Sequence, residues 1–456
     1  MLFTLAAKFL NKRRWSPQTV SAAVYCWVRP ANWCYLIGSL FVVGCSPALQ
    51  IKKQVLQSEK SLHDHLGFYV TDLHSDKPLV NVHGAHYFTP ASNTKIFTLY
   101  ASARLLGDSI SSLKYIQRND SLIFQGLGDP SFLYPNVFNN GRVYGFLKNF
   151  RGKLFFNSSN FNTDPLGTGW AWDDYNEYYS AECSPFPLYG NLISIKNKSN
   201  NSFDFQPKRF ASDFQLAPFN RDREEIIRDI DSNKLTHFNS DKKSSAWVIP
   251  FRTSSDLTAD LLSDTLHQNV EEISSFPKGK YATLKSIPVD SVFKEMMVAS
   301  DNFIAEQLLL QCAAVVSDTL KPEIAIQYVL KNFLHDLPDL PQWADGSGLS
   351  RFNLFTPRSI VAVWKKVIQV IPQDRLFRLL PVGGKSGTLK NSYKADVPYL
   401  YGKTGSLSNV QCVSGFLITQ KKKILVFSFM HNNFTAPGSS VRKQMQTILE
   451  TVRDKY

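Results

Sequence analysis

A serine three residues ahead of a lysine is a minimal nucleophile. If the lysine is neutral, it can take the hydroxyl proton while the oxygen attacks a carbonyl. The 456-residue chain holds six such pairs, beginning at Ser92, Ser111, Ser240, Ser275, Ser291 and Ser440, so the pattern alone selects nothing. Placement selects Ser92 and Lys95. They follow Thr89-Pro90-Ala91, a helix start where the missing proline N–H costs nothing, and precede an apolar stripe at Ile96, Phe97, Leu99, Tyr100, Ala103 and Leu106. Both side chains are thereby expected on the first turns of one helix, on the same side, with the serine near the positive end of the helix dipole. Ser300-Asp301-Asn302 comes next, inside a helical region, and Lys403-Thr404-Gly405-Ser406 opens a strand-like run through Val410, Val413 and Phe416. Lys385-Ser386-Gly387-Thr388 competes for that last place, but Gly383-Gly384 before it and Asn391-Ser392 after it mark a loop. The nine His form no His-Glu-x-x-His, there is no Gly-x-Ser-x-Gly elbow, and Cys183, Cys312 and Cys412 have no close spacing. Zincin and α/β-hydrolase chemistry are poorly supported, no metal or cofactor is expected, and the three cysteines read as buried thiols, of which one pair could bridge.

These residues need a scaffold of mixed character. Alternation over 67–73 and 78–83 across Asp76-Lys77-Pro78 reads as a β-hairpin ahead of the Ser92 helix. From about 116 to 275 short alternating segments (121–125, 153–156, 192–196) are separated by Asn, Ser, Gly and Asp, which reads as β-rich. Helical periodicity returns over 289–316, 323–334 and 357–370. Strand-like runs follow at 399–417 and 423–430, then a terminal helix over 439–454. The pattern is an α/β (α+β) unit split by a β-rich insertion.

In this order, on helix, helix edge and strand, Ser-x-x-Lys, Ser-x-Asn and Lys-Thr-Gly resemble the motifs of the penicillin-recognising serine enzymes. The resemblance narrows to the class C penicillin-binding proteins with D-alanyl-D-alanine carboxypeptidase/endopeptidase activity. It is carried by Gly126-Leu127-Gly128-Asp129-Pro130-Ser131, by Gly169-Trp170-Ala171-Trp172-Asp173-Asp174 leading to Tyr179-Ser180-Ala181, and by Asp345-Gly346-Ser347-Gly348-Leu349-Ser350-Arg351. The long gap between Ser92 and Ser300 fits as well, and the likeness covers residues 60–456. It implies a transpeptidase-like catalytic domain from 46–115 and 276–456, with 116–275 inserted. Ser92 would attack the carbonyl between two D-alanines, and Lys95 would take its proton and later return it to the leaving amine. Burial and the neighbouring cation Lys403 are expected to lower the Lys95 pKa. By resemblance, the Ser92 and Ser406 N–H groups would hold the oxyanion. Ser300 would relay protons between Lys95 and the leaving group, and Asn302 would hold the substrate amide. Lys403 and Thr404, with Gly405 and Ser406 beside them, would take the terminal carboxylate, while Trp170 and Asp173 would grip the side-chain amine of the stem peptide. Asp345 and Arg351 are expected to shape a loop. Peptidoglycan stem peptides are the implied substrates and β-lactams the implied covalent inhibitors. Two rivals stand beside this reading. A serine β-lactamase would need a dedicated deacylating base, and no Glu-x-x-Leu-Asn segment occurs in the insertion. A silent wall-binding lipoprotein would not need every catalytic position intact.

Residues 1–45 read as a presequence. Lys8, Lys12, Arg13, Arg14 and Arg29 precede an apolar run over 35–43, too short to span a bilayer comfortably. Val42-Val43-Gly44-Cys45 resembles a bacterial lipobox, so Cys45 is the expected acylated N-terminus and membrane anchor of an exported, periplasmic protein. The rest of the +13 formal charge is spread out, with no dense basic block interleaved with aromatics, so no nucleic-acid partner is expected.

Overall fold

The computed structural model describes residues 46–456 except 140, 200, 201, 242 and 243. Cys45 and the apolar run before it lie outside the described residues. Among those described, no helix is long and apolar enough to cross a membrane.

In chain order, α1 (Pro47–Leu62) leads into the hairpin β1 (His65–Asp72) and β2 (Pro78–Val82). A 3-10 turn at Ala91–Thr94 then opens α2 (Lys95–Leu105). Next come β3 (Ser109–Arg118), β4 (Ser121–Gly126), α3 (Arg142–Lys148) and β5 (Lys153–Asn157), then an irregular stretch with 3-10 turns at Trp172–Asn176 and Tyr178–Ser180. Six short strands follow: β6 (Leu192–Ser199), β7 (Ser202–Gln206), β8 (Phe214–Leu216), β9 (Glu225–Arg228), β10 (Leu235–Phe238) and β11 (Ala246–Pro250). The chain continues through α4 (Ser255–Leu266), β12 (Val270–Glu272), β13 (Ala282–Pro288), α5 (Val289–Val298), α6 (Asn302–Ser317), α7 (Pro322–Phe333), α8 (Pro357–Val370) and α9 (Gln373–Leu379). It ends with β14 (Leu400–Leu407), β15 (Val410–Ile418), β16 (Ile424–Asn432) and α10 (Gly438–Lys455).

The first and last parts of the chain share one antiparallel sheet in the order β14-β15-β16-β1-β2. Side chains alternate across a strand, and β16 uses both faces. Val426 and Met430 join the core built from α2, α5, α6 and α8, while Leu425, Phe427 and Phe429 join a second core with Ile51, Val55 and the apolar stripe of α10. Such side chains contribute about 1.5–3 kcal/mol each when fully buried, so the sheet is clamped between helices on both sides.

The middle of the chain builds the remaining sheets: β12-β5-β4-β3-β13, β8-β10-β9 and β11-β6-β7. It leaves and returns at one place, because β3 and β13 pair antiparallel, with Ser109 opposite Pro288, and Val289 N donates to Asp108 O at 2.9 Å. A detour of roughly 180 residues therefore costs no displacement between α2 and α5. Gln307 on α6 anchors the detour, donating from Nε2 to Gly128 O and Ser184 O and accepting from Ser184 N.

Two local departures from the periodic reading matter for the site. Ser92 belongs to the 3-10 turn rather than to the helix, which begins at Lys95. The helical run expected over 289–316 breaks at 299–301, where Ser300 takes a left-handed backbone (φ 62°) and Asp301 caps α6 by accepting from Ile304 N at 2.9 Å. A cap of this kind contributes about 1 kcal/mol and fixes Asn302 as the first residue of the new helix.

Candidate active site

Ser92 is held by contacts to its backbone and to its neighbour Asn93. Ala91 before it has φ 47°, a left-handed conformation that costs a non-glycine residue about 1–2 kcal/mol. The 345–351 loop presses on this turn through Gly348 (φ 85°), where a Cβ would stand 1.9 Å from Ala91 O. From the other side β14 closes in through Gly405, where a Cβ would meet Pro90 O at 2.7 Å and Ser92 N at 2.9 Å. Glycine in Lys-Thr-Gly thus lets the strand lie against the Ser92 amide. Asn93 fixes the register: its Nδ2 donates to Lys403 O at 3.3 Å, and Ser414 Oγ, itself bonded by Trp364 Nε1 at 2.9 Å, donates to Asn93 Oδ1.

Lys95 is fully buried. Its Nζ lies 3.0 Å from Ser92 Oγ, 2.6 Å from Asn302 Oδ1 and 2.7 Å from Ser347 O. The Asn302 orientation is set by its other end, since Nδ2 donates to Tyr179 O at 3.0 Å. A neutral amine has two hydrogens and one lone pair, and carbonyl oxygens can only accept. Asn302 Oδ1 and Ser347 O therefore absorb the two N–H groups, and the lone pair is left facing the Ser92 hydroxyl, as a general base requires.

Burial pulls the Lys95 pKa down to about 8, against the opposing pull of the Asp345, Glu306 and Asp301 carboxylates. The cause is chiefly desolvation, and the like-charge effect shows instead on Lys403, which burial and the Lys95 charge together push well below the usual lysine range. The sign gives a pH test. Only neutral Lys95 can accept the proton, so the second-order acylation rate is expected to fall about tenfold per pH unit below about 8 and to level off above it. Stopped-flow acylation by a chromogenic penicillin across pH 5–10 measures this.

The expected residues do not all face the same space. Ser92, Ser300, Asn302, Ser406, Asp173 and Asp174 line one cavity of about 550 Å³. A hollow of about 650 Å³ beside Asp204–Arg209 and His267 contains none of these residues, so chemistry and not volume identifies the cleft. Lys403 is fully buried and lies off the cleft wall, with Nζ donating to Ser300 Oγ and Thr404 O at 2.7 Å each. Lys403 is thus placed to hold Ser300 rather than to meet a carboxylate directly. Asn302, expected to hold substrate, spends both ends on Lys95 and Tyr179. Trp170 also lies off the wall, because its half-buried indole N–H needs an acceptor and finds Asp345 Oδ2 at 3.0 Å. Asp345 shapes its loop as expected, accepting also from Gly348 N, Ser350 N and Asn353 Nδ2 at 2.7–2.8 Å. Arg351 lines the cleft.

Two contributors are not singled out by the sequence reading. Thr388, in the loop set aside as a competitor, accepts a hydrogen bond from Thr404 Oγ1 at 2.6 Å. Its signal is the Gly-Thr-Leu stretch at 387–389. Glu306 lies one turn after Asn302, an acid in the apolar run Asn302–Ser317, and that incongruity is its signal. Among the described residues no group of three or more His, Cys, Asp or Glu side chains is placed to hold a metal ion, and Cys183, Cys312 and Cys412 are free and buried.

The sequence model of the D-Ala-D-Ala carboxypeptidase 3 (S13) family matches residues 49–452. The chain belongs to that family. It is a serine-type D-Ala-D-Ala peptidase, a hydrolase. D-alanyl-D-alanine carboxypeptidase DacB of Haemophilus influenzae is 21% identical over 444 residues, spanning 86% of this chain and 90% of the relative. The crystal structure of penicillin binding protein 4 (dacB) from the same organism has a TM-score of 0.70 at 20% identity, covering 87% of this chain and 97% of that one. A second structure of that protein, complexed with a novel β-lactam, gives 0.65 at 16%, covering 88% and 99%. These structures show a shared penicillin-binding-protein fold.

Proposed function

We propose that this peptidase works through an acyl-enzyme on Ser92, releasing the terminal D-alanine of peptidoglycan stem peptides and opening D-alanyl cross-links by the same first step. One observation carries the reading: the lone pair of buried Lys95 can face only Ser92 Oγ, because carbonyl oxygens occupy its other two directions. In the sequence of events, Lys95 accepts the hydroxyl proton as Ser92 Oγ bonds to the carbonyl carbon. The oxyanion is held by the backbone N–H groups of Ser92 and Ser406, and the proton passes to the leaving amine as the C–N bond breaks. Ser300, held by Lys403, stands on the cleft wall where that amine departs. Water then releases the acyl group.

The free carboxylate of the last D-alanine would be met by the hydroxyls around Thr404, and Asp173 with Asp174 would draw a stem-peptide amine into the cleft. β-Lactams would acylate the same serine, as suits a fold shared with a β-lactam-bound relative. The reading includes residues 46–115 and 276–456 as the catalytic domain and 116–275 as its insertion. It also includes export to the periplasm under a presequence ending at residue 44, with Cys45 lipidated. Mass spectrometry of products from a defined pentapeptide and a cross-linked dimer tests the reaction. Loss of one alanine and splitting of the dimer are expected, and an unchanged pentapeptide and dimer would overturn it.

A further inference from the structure

Lys95 owes its orientation to a carbonyl that no catalytic motif supplies, and that carbonyl is itself held by a buried acid. Glu306 is only 3% exposed, on the inner face of α6. Its Oε1 accepts from Ser347 N at 2.7 Å and its Oε2 from Gly346 N at 2.9 Å, so the two oxygens grip two consecutive amides of the 345–351 loop. Both carbonyls of the same dipeptide point at α2: Ser347 O takes Lys95 Nζ at 2.7 Å and Gly346 O takes Thr98 Oγ1 at 2.6 Å. The loop cannot slide on α6 either, because a Cβ on Gly346 would stand 2.7 Å from Ala305 O. The connection from Glu306 to the base therefore runs through the single residue Ser347, with one hydrogen bond at each end, yet Glu306 does not line the cleft.

A purely structural anchor for two amides does not need a charge. Burying a carboxylate is costly, and here a second one, Asp345, lies in the same loop. Burial and the Asp345 charge both push the Glu306 pKa up. What the acid does that a side-chain amide would not is accept from both N–H groups at once, and so aim the carbonyl that meets the Lys95 amine. The charged groups facing that amine are Asp301 from the turn before α6, Glu306 from α6, Asp345 from the loop and Lys403 from β14. Cys183 also lies in the field of Glu306 and Asp345, and burial keeps its thiol protonated.

We propose that Glu306 is a positioning residue for acyl transfer. By clamping the Gly346 and Ser347 amides it aims the Ser347 carbonyl that turns the Lys95 lone pair toward Ser92. This rests on the reading of Lys95 as the base.

The test uses the purified protein carrying Glu306→Gln, with acylation by a fluorescent penicillin followed from pH 5 to 10 and thermal unfolding recorded in parallel. Glutamine fills the same space but offers one acceptor and sets an N–H against an amide N–H. The alkaline plateau of the acylation rate is expected to fall about tenfold or more, the scale of a small misalignment of reacting groups. The loss is expected in the acylation rate constant at saturating penicillin, with the half-saturating concentration unchanged, because Glu306 does not line the cleft. Glu306→Asp, which keeps two acceptor oxygens and loses the reach, is also expected to lower the plateau, and it carries the test if the glutamine variant does not fold. An unchanged plateau in the folded variants, or a loss confined to the half-saturating concentration, would overturn the proposal. Failure of the underlying reading looks different, since Lys95→Met would then acylate at the wild-type rate.

Discussion

Replacing Ser92 with alanine is expected to give a folded protein that a fluorescent penicillin no longer labels and that leaves D-Ala-D-Ala peptides intact. The nucleophile's position is fixed by Gly348, Gly405 and Asn93 through backbone contacts and the Asn93 amide, none of which uses Ser92 Oγ. The substitution therefore removes one hydroxyl and its contact with Lys95 Nζ and leaves the turn intact. A buried network missing one neutral partner loses about 1 kcal/mol. The catalytic loss is far larger, on the order of a million-fold, as when the serine of an interdependent catalytic set is removed. Gel fluorescence and thermal unfolding of the pair check both halves. Labelling that survives would move the nucleophile to another Ser-x-x-Lys, and Ser291 and Ser440 lie in α5 and α10.

Lys95→Met is expected to be damaging as well, to a smaller degree and for a different reason. Methionine keeps the unbranched stem in a fully buried position, so packing changes little, but Ser92 loses its proton acceptor. Asn302 Oδ1 and Ser347 O also lose their donor. General-base catalysis contributes about a hundred- to ten-thousand-fold, and the released Asn302 side chain adds to the loss by loosening the cleft wall. Since Ser92 and Lys95 act as a unit, the double variant Ser92→Ala/Lys95→Met is expected to be no worse than Ser92→Ala alone. Rate constants for acylation and for pentapeptide hydrolysis of the three variants decide it. Independent, multiplying losses would show that the two residues do not share one proton transfer.

How much of this was readable beforehand depends on the range of the interaction. The β1–β2 hairpin, α8, β16 and α10 were legible because each carries an apolar period along its own length. α1 and α4 carry Ser46 and Ser254 caps, but the sequence reading singles out neither helix. The Ser300 break was hidden inside an apolar run that continues on both sides of it. The Ser300 hydroxyl is held by the buried Lys403, 103 positions away. Trp170 was expected at the substrate from its resemblance alone. Its half-buried N–H is drawn instead to Asp345, 175 positions on.

The order Ser92-Lys95, Ser300-Asn302 and Lys403-Thr404-Gly405 was in the sequence, and with it the class of chemistry, because the reacting functional groups are properties of residue type. Which way those groups point was not. The direction of the Lys95 lone pair depends on Asn302 and Ser347, 207 and 252 positions away. The inward turn of Lys403, the Thr388 hydroxyl beside Thr404 and the Glu306 clamp likewise join elements that only the folded sheet and helices bring together. A buried polar atom takes its orientation from whichever partner satisfies it, and that partner is chosen by tertiary packing.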